Sequence, residues 1–135
     1  MSNPNYLILP SRLDFVKTLS ALKQAFAAQG LTLFAEIPHS SLADEHGLPL
    51  APACLLIVGH PAKGTPLMQA DLLLAAELPL KVLVCEQNGC VQVCYRRVLP
   101  LVAGRNLGAA ENVAAQIDAA MSGLIAAALP SATSQ

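Results

Sequence analysis

Three features of this 135-residue chain predict a single α+β domain. A stretch near the N-terminus places apolar residues at helical spacing, an Ala-rich stretch near the C-terminus does the same, and two alternating runs in between flank an Asn-Gly pair. The expected order is strand, helix, two strands, helix, hairpin, helix (β-α-β-β-α-β-β-α). A chain of this length can bury roughly two thirds of its unfolded surface around one core. No repeat, linker or low-complexity block divides it. The expected domain is residues 1–130, with residues 131–135 as a disordered tail.

Tyr6 to Leu9 is a short apolar run stopped by Pro10 and reads as the first strand. Phe15, Leu19, Leu22 and Phe26 recur at spacings of three and four, with Ser11 or Asp14 as N-cap and Gly30 as the left-handed stop. Leu31, Leu33, Ala35 and Ile37 alternate along a half-buried strand. After Pro38 and His39 a short helical turn is expected over Ser40 to Gly47, with Ser41 and Asp44 spaced as a capping box. Ala53 to Val58 is a continuous apolar run and reads as a buried strand. Gly59 to Gly64 then reads as a tight loop. Thr65 is the expected N-cap and Pro66 the first residue of a helix running to about Glu77, apolar on nearly every side and therefore buried. Leu80 to Glu86 and Cys90 to Arg96 form the hairpin around Asn88-Gly89. Its valine face (Val82, Val84, Val91, Val93, with Tyr95) is assigned to the core. A last helix, Gly108 to about Leu129, carries Val113, Ile117, Met121, Leu124 and Ala128 on one stripe.

Composition restricts the partners. Charged residues make up 13% of the chain and hydrophobic ones 54%, against about 25% charged in an average domain. Part of that apolar excess is expected to cover a second copy, because monomers rarely expose large apolar patches, against Ala and Leu spread through two buried helices as its source. The formal net charge is −1 and the basic residues are scattered, so no nucleic-acid footprint is present. No apolar stretch is long enough to span a bilayer, and Met1 to Pro10 lacks the positive charge of a secretory leader. A cytoplasmic protein without a membrane partner is the expectation. Cysteines stand at 54, 85, 90 and 94 without a C-x2-C pair, so neither a zinc ribbon nor a thioredoxin pattern is present, and no metal or cofactor is assigned.

Several pieces together resemble a known family. They are Ser11, Phe15 and Thr18, the Gly30-Leu31 turn, Ile37-Pro38-His39, and above all Leu56 to Met68 with its Gly59-His60-Pro61-Ala62-Lys63-Gly64-Thr65 segment. Leu78 to Val84, Gly89 and Tyr95 extend the likeness. In these the chain resembles the bacterial and archaeal domain-of-unknown-function family 302. The resemblance implies a TATA-binding-protein-like fold, with helices packed on a mostly antiparallel sheet, and a homodimer. It implies no agreed activity. His60 stands where the family pattern has Asn, and the C-terminus is longer and richer in Ala.

The chemistry the residues suggest is limited. Gly59 to Thr65 has the G-x4-G spacing of a phosphate loop, but Lys63 precedes Gly64 instead of following it, and no acidic strand end is present for Mg²⁺. Nucleoside triphosphates are disfavoured on that ground. A simple anion on free amides at the Thr65 helix start, beside Lys63, remains open against a purely structural turn. His39, between a strand and a helix, is the candidate general acid or base, against a hydrogen-bonded role at the helix start. His46 suits a helix end. Cys85, Cys90 and Cys94 share a hairpin face and read as small apolar fillers, against a soft-metal or redox role. Glu36 and Glu86 have no evident partner. Two functions follow: a non-catalytic dimeric module whose ligand-binding residues are His39, Gly59, His60, Lys63, Gly64 and Thr65, taking a small anion or a protein partner; or an enzyme in which His39 works against an anion or oxyanion cradle at Lys63 to Thr65.

Overall fold

The computed structural model describes residues 3–130; the expected tail at 131–135 lies outside the described residues. The elements are β1 (Tyr6–Ser11), α1 (Phe15–Ala28), β2 (Thr32–Ile37), α2 (His39–Glu45), β3 (Ala53–Gly59), α3 (Pro61–Ala70), a 3-10 turn at Leu72–Ala76, β4 (Leu80–Gln87), β5 (Cys90–Arg96), α4 (Leu99–Val102), a second 3-10 turn at Gly108–Ala110, and α5 (Glu111–Ala128). The five strands form one sheet in the order β1-β5-β4-β3-β2, antiparallel at every pairing. This is the α+β architecture the sequence predicts.

The hairpin forms as its turn chemistry demands: Asn88 has φ 54° and Gly89 φ 79°, the two left-handed positions of a type I′ turn. Register then decides which side chains meet. Leu7, Tyr95, Val82 and Leu56 align across four strands, and Leu9, Val93, Val84 and Cys54 form the next such row. All but the two β1 leucines are buried, against Leu22 and Phe26 of α1 and Ile117, Met121 and Ile125 of α5. Each such side chain, taken fully out of water, contributes roughly 1.5–3 kcal/mol before entropy is counted.

The other parity of the same strands builds a second row: Ile8, Cys94, Leu83, Leu55 and Ile37 stand opposite one another from edge to edge. Every one of them keeps part of its surface in solvent, and none joins the core. The strand residues of this parity include Lys81 and Arg96 but no Asp or Glu. One face of the sheet is therefore covered by helices, and the other is apolar and open.

Several expectations need correction. The helix expected from Thr65 starts at Pro61, because Pro61 itself sits at the first helical position and the His60 side chain accepts from the Ala62 N–H. It ends at Ala70: Asp71 turns extended and caps the following 3-10 turn through Leu73 N–H at 3.1 Å. Nor is this segment buried all round. Leu67 and Leu74 are buried, but Leu72 and Leu73 are 76% and 73% exposed, and nothing in the structure accounts for them. β2 is an exposed edge strand instead of a half-buried one, and a register shift between Leu33 and Ala35 breaks its alternation. α2 has no side-chain cap; Ser40, not Ser41, does the bonding, by holding the Ala53 backbone at both N–H and C=O. In α5 the buried positions are Ala114, Ile117, Asp118, Met121 and Ile125, so the stripe is rotated toward a carboxylate.

Asp118 is the reason. It is buried, and it accepts from the Tyr95 hydroxyl at 2.7 Å, Val98 N–H at 2.8 Å and Leu99 N–H at 2.8 Å. A buried carboxylate is tolerable when its lone pairs are filled by donors. This one ties α5 to the end of β5 and the start of α4. Burial, with the Asp118 contact second, pushes the Tyr95 phenol well above its ordinary range.

Candidate functional site

Where β3 ends and β2 begins, Gly59 stands opposite Thr32. The chain then enters α3, and a cavity of about 480 Å³ opens between this corner of the sheet, α3 and α5. Its inner wall is apolar: Leu80 from β4 and Ile117 and Met121 from α5, all buried. Met68, Leu78 and Pro79 continue that wall, and Leu31 and half-exposed Phe34 close the β2 side. A Cβ on Gly59 would come to 3.4 Å from both the Phe34 and the Pro79 side chains, so the chain passes close to this wall.

The polar side chains of the cavity are Gln29, His60, Lys63 and Thr65, with no Asp or Glu among its lining residues. Lys63 and Gln29 are exposed, so they stand at the rim. Thr65 is already engaged, its hydroxyl donating to Pro61 O at 2.6 Å. His60 accepts from Ala62 N–H through Nδ1 at 3.2 Å, which leaves Nε2–H as its free donor. The Lys63 ammonium has no hydrogen-bond or ion-pair partner among the described residues.

Of the six residues singled out from sequence, five (Gly59, His60, Lys63, Gly64 and Thr65) line this cavity. His39 does not. It begins α2 beyond Ile37, and Ile37 pairs with Leu55 while Thr32 pairs with Gly59. The length of β2, roughly 17 Å at about 3.3 Å per residue, separates His39 from His60 within one subunit. The amide cradle is also corrected. Pro61 has no N–H, Ala62 N–H donates to His60 Nδ1, and the N–H groups of Lys63 and Gly64 both donate to His60 O at 2.9 and 3.1 Å. The supposed loop is the first helical turn, so its amides are satisfied and Thr65 caps nothing. Any anion here must be met by side chains.

Other singled-out groups fall elsewhere. Glu36 does have partners: Lys23 Nζ lies 3.0 and 3.2 Å from its two oxygens, and the Cys54 thiol donates to it at 3.8 Å. All four cysteines are free. Burial pushes the thiols of Cys54, Cys85 and Cys94 above the ordinary value, and nearby Glu36 adds to the rise at Cys54. Those three are not activated nucleophiles. Among the described residues no group of three or more His, Cys, Asp or Glu side chains is placed to hold a metal. No helix among them is long and apolar enough to cross a membrane.

The cavity's inner walls, Leu78 to Leu80, Ile117 and Met121, come from segments distant in sequence, and residue patterns could not join them. Asp118 lies beside the stripe that helical periodicity assigns to the core, so its burial had no signal in the sequence.

Fold and cavity together define a two-layer α+β domain with an apolar pocket at one corner of its sheet. The chain belongs to the family described as Domain of unknown function DUF302, whose model matches residues 7–128. A crystal structure of an uncharacterized conserved DUF302 protein from Bacillus stearothermophilus superposes with a TM-score of 0.81 at 22% identity, covering 94% of this chain and 97% of that one. The likeness shows a shared fold. The chain is also similar to the fluoride-specific ion channel FluC 1 of Brucella suis biovar 1 (strain 1330), 30% identical over 105 residues that make up 77% of this chain and 41% of the relative. FluC 1 of Brucella abortus biovar 1 (strain 9-941) matches at the same identity over 39% of its length. The chain thus spans about two fifths of these relatives, and more than half of each lies outside the likeness.

Proposed function

We propose that the chain is a dimeric, non-catalytic module that holds a small anionic ligand in the cavity between α3, α5 and the Gly59 corner of the sheet. The observation that carries this reading is the character of that cavity: apolar inside, with Lys63 and the His60 Nε2–H at its margin and no carboxylate in its lining. Apolar pockets with a few placed polar groups are the usual form of small-molecule sites. The rival enzyme reading has less support, because His39 is separated from the Lys63 to Thr65 turn by the length of β2, and acid-base chemistry needs its groups within hydrogen-bond reach of one reacting atom. A thermal-shift screen of small anions on the full chain tests the reading, since a bound ligand raises Tm with concentration. A screen in which no anion raises Tm, and none moves the amide resonances of Met68, Leu78 or Met121, refutes it.

The homodimer in this reading is supported by the open face of the sheet. Five strands about 4.8 Å apart and some six residues long present roughly 450 Å² per subunit. Pairing two such faces buries on the order of 1,000 Å², the lower bound for a specific interface. Sedimentation equilibrium at micromolar concentration should give twice the 14.1 kDa chain mass, and Leu83→Glu, at the centre of the open row, should give the monomer. A wild-type species at the chain mass removes the dimer from the proposal. The cytoplasm is the setting this reading assumes. Nothing of the Brucella relatives' ion conduction is carried over, because the likeness covers only part of those proteins.

A further inference from the structure

Resting on the cavity reading above, the geometry points to a ligand class: a straight-chain aliphatic monocarboxylate of medium length, its tail against Ile117 and Met121 and its carboxylate at Lys63 and His60. Five observations converge on it. The cavity's polarity runs in one direction, from buried Leu80, Ile117 and Met121 inside to exposed Lys63 and Gln29 at the rim. A ligand that fits carries its polar atoms at one end. The free polar groups include two unspent donors, the Lys63 ammonium and the His60 Nε2–H, and no carboxylate lines the cavity, so that end is an acceptor with negative charge. Lys63 is the single Lys or Arg in the lining, which matches one negative charge better than the two of a phosphate monoester.

The lining also favours a flexible chain over a planar ring system. Met68 and Met121 supply pliable, polarizable surface, the remaining inner wall is aliphatic, and Phe34 is the single aromatic contributor. A volume of 480 Å³ equals about sixteen water-sized spaces of roughly 30 Å³ each. Carboxylates of about six to ten carbons therefore fit whole.

The experiment is isothermal titration of the full chain with sodium hexanoate, octanoate and decanoate, with octan-1-ol and with 2-naphthoate, each kept below its solubility or micelle limit. Affinity should rise about fourfold per added methylene, the ratio that ~0.8 kcal/mol per buried CH2 produces. Octanol and naphthoate should each bind at least fivefold more weakly than octanoate. Lys63→Met, at an exposed helical site, should lower octanoate affinity to the level of octanol and leave octanol unchanged. Gly64→Leu should block all of the ligands; a Cβ there meets only Leu78 at ordinary contact, 3.8 Å, so the branch point itself is accommodated and the rest of the side chain extends from it. In the wild type, octanoate should shift the amides of Met68, Leu78 and Met121, which tests the site without any variant. Octanol binding as well as octanoate overturns the carboxylate class, and 2-naphthoate binding as well as octanoate overturns the straight aliphatic chain; either result leaves the cavity as a ligand site. Octanoate that binds without moving those three amides, or with undiminished affinity in a folded Gly64→Leu chain, overturns the cavity reading itself.

Discussion

Removing the Asp118 carboxylate should be among the most damaging single changes available in this fold. In Asp118→Ala three donors lose their acceptor: the Tyr95 hydroxyl, Val98 N–H and Leu99 N–H. Leu99 is 36% exposed and its amide can turn to water, whereas Tyr95 and Val98 are 1% and 2% exposed and cannot. Two stranded buried donors cost about 1–3 kcal/mol each, so the expected loss is about 4 kcal/mol. Against a total stability of roughly 5–15 kcal/mol for a domain, that is a large fraction. Asp118→Asn should cost about half as much. Its amide oxygen still serves Tyr95 and Val98, while its NH2 group faces the Leu99 N–H, donor against donor. Tyr95→Phe removes one donor and leaves the carboxylate its two backbone N–H groups, for about 1 kcal/mol. Urea unfolding of all three variants at one fixed protein concentration, with slopes checked for constancy, gives the ranking. If Asp118→Ala falls within 1 kcal/mol of wild type, or Tyr95→Phe costs as much as Asp118→Ala, the carboxylate does not hold α5 to β5 as described.

Four further outcomes are expected. The Tyr95 phenol is raised above its ordinary 10.0, so the stability of its neutral, bonded form is complete below pH ~10 and falls as the pH climbs beyond it, by at most about 1.4 kcal/mol per unit; Tyr95→Phe should flatten that alkaline limb of a stability-against-pH curve. His60→Ala should cost about 1 kcal/mol through the lost Ala62 cap, and Thr65→Ala well under that, because its hydroxyl bonds back to Pro61 within the helix; equal losses in thermal unfolding would contradict the observed start of α3. Gly89→Ala should cost about 1–2 kcal/mol, since φ is 79° there and a Cβ is strained in that region. In native thiol titration Cys90, exposed at the hairpin, should react first, with Cys54, Cys85 and Cys94 following only slowly because burial disfavours their thiolates; denaturant should release all four.

The elements easiest to read from sequence were those whose local chemistry and tertiary setting agree. Asn88-Gly89 and the valine alternation around it define the hairpin, and Asp14 with Leu19, Leu22 and Phe26 defines α1. Misreadings arose where two local signals compete. Pro61 and Thr65-Pro66 both mark a helix start, and the earlier one prevails because His60 supplies a cap. Leu72 to Ala76 has the residues of a buried helix, yet Asp71 restarts the chain as a 3-10 turn and leaves two leucines in solvent. In β2 a single register shift was enough to defeat a correct alternation. Five of the six candidate residues line one cavity because they fall close together in sequence, between Gly59 and Thr65. His39 was joined to them only by its position after a strand, and the antiparallel pairing of β2 with β3 puts it at the wrong end.

The two edges of the sheet bear on how the molecule avoids uncontrolled assembly. β1 contains Pro10, which offers no N–H to an incoming strand, and β2 is interrupted by its register shift between Leu33 and Ala35. Interruptions of this kind are how natural sheets prevent end-on strand addition. A fibre growing by continued hydrogen-bonded ladders would meet an irregular partner at either side. The uninterrupted surface is the open apolar face, and in the proposed dimer contact through that single face closes on itself after two copies instead of propagating.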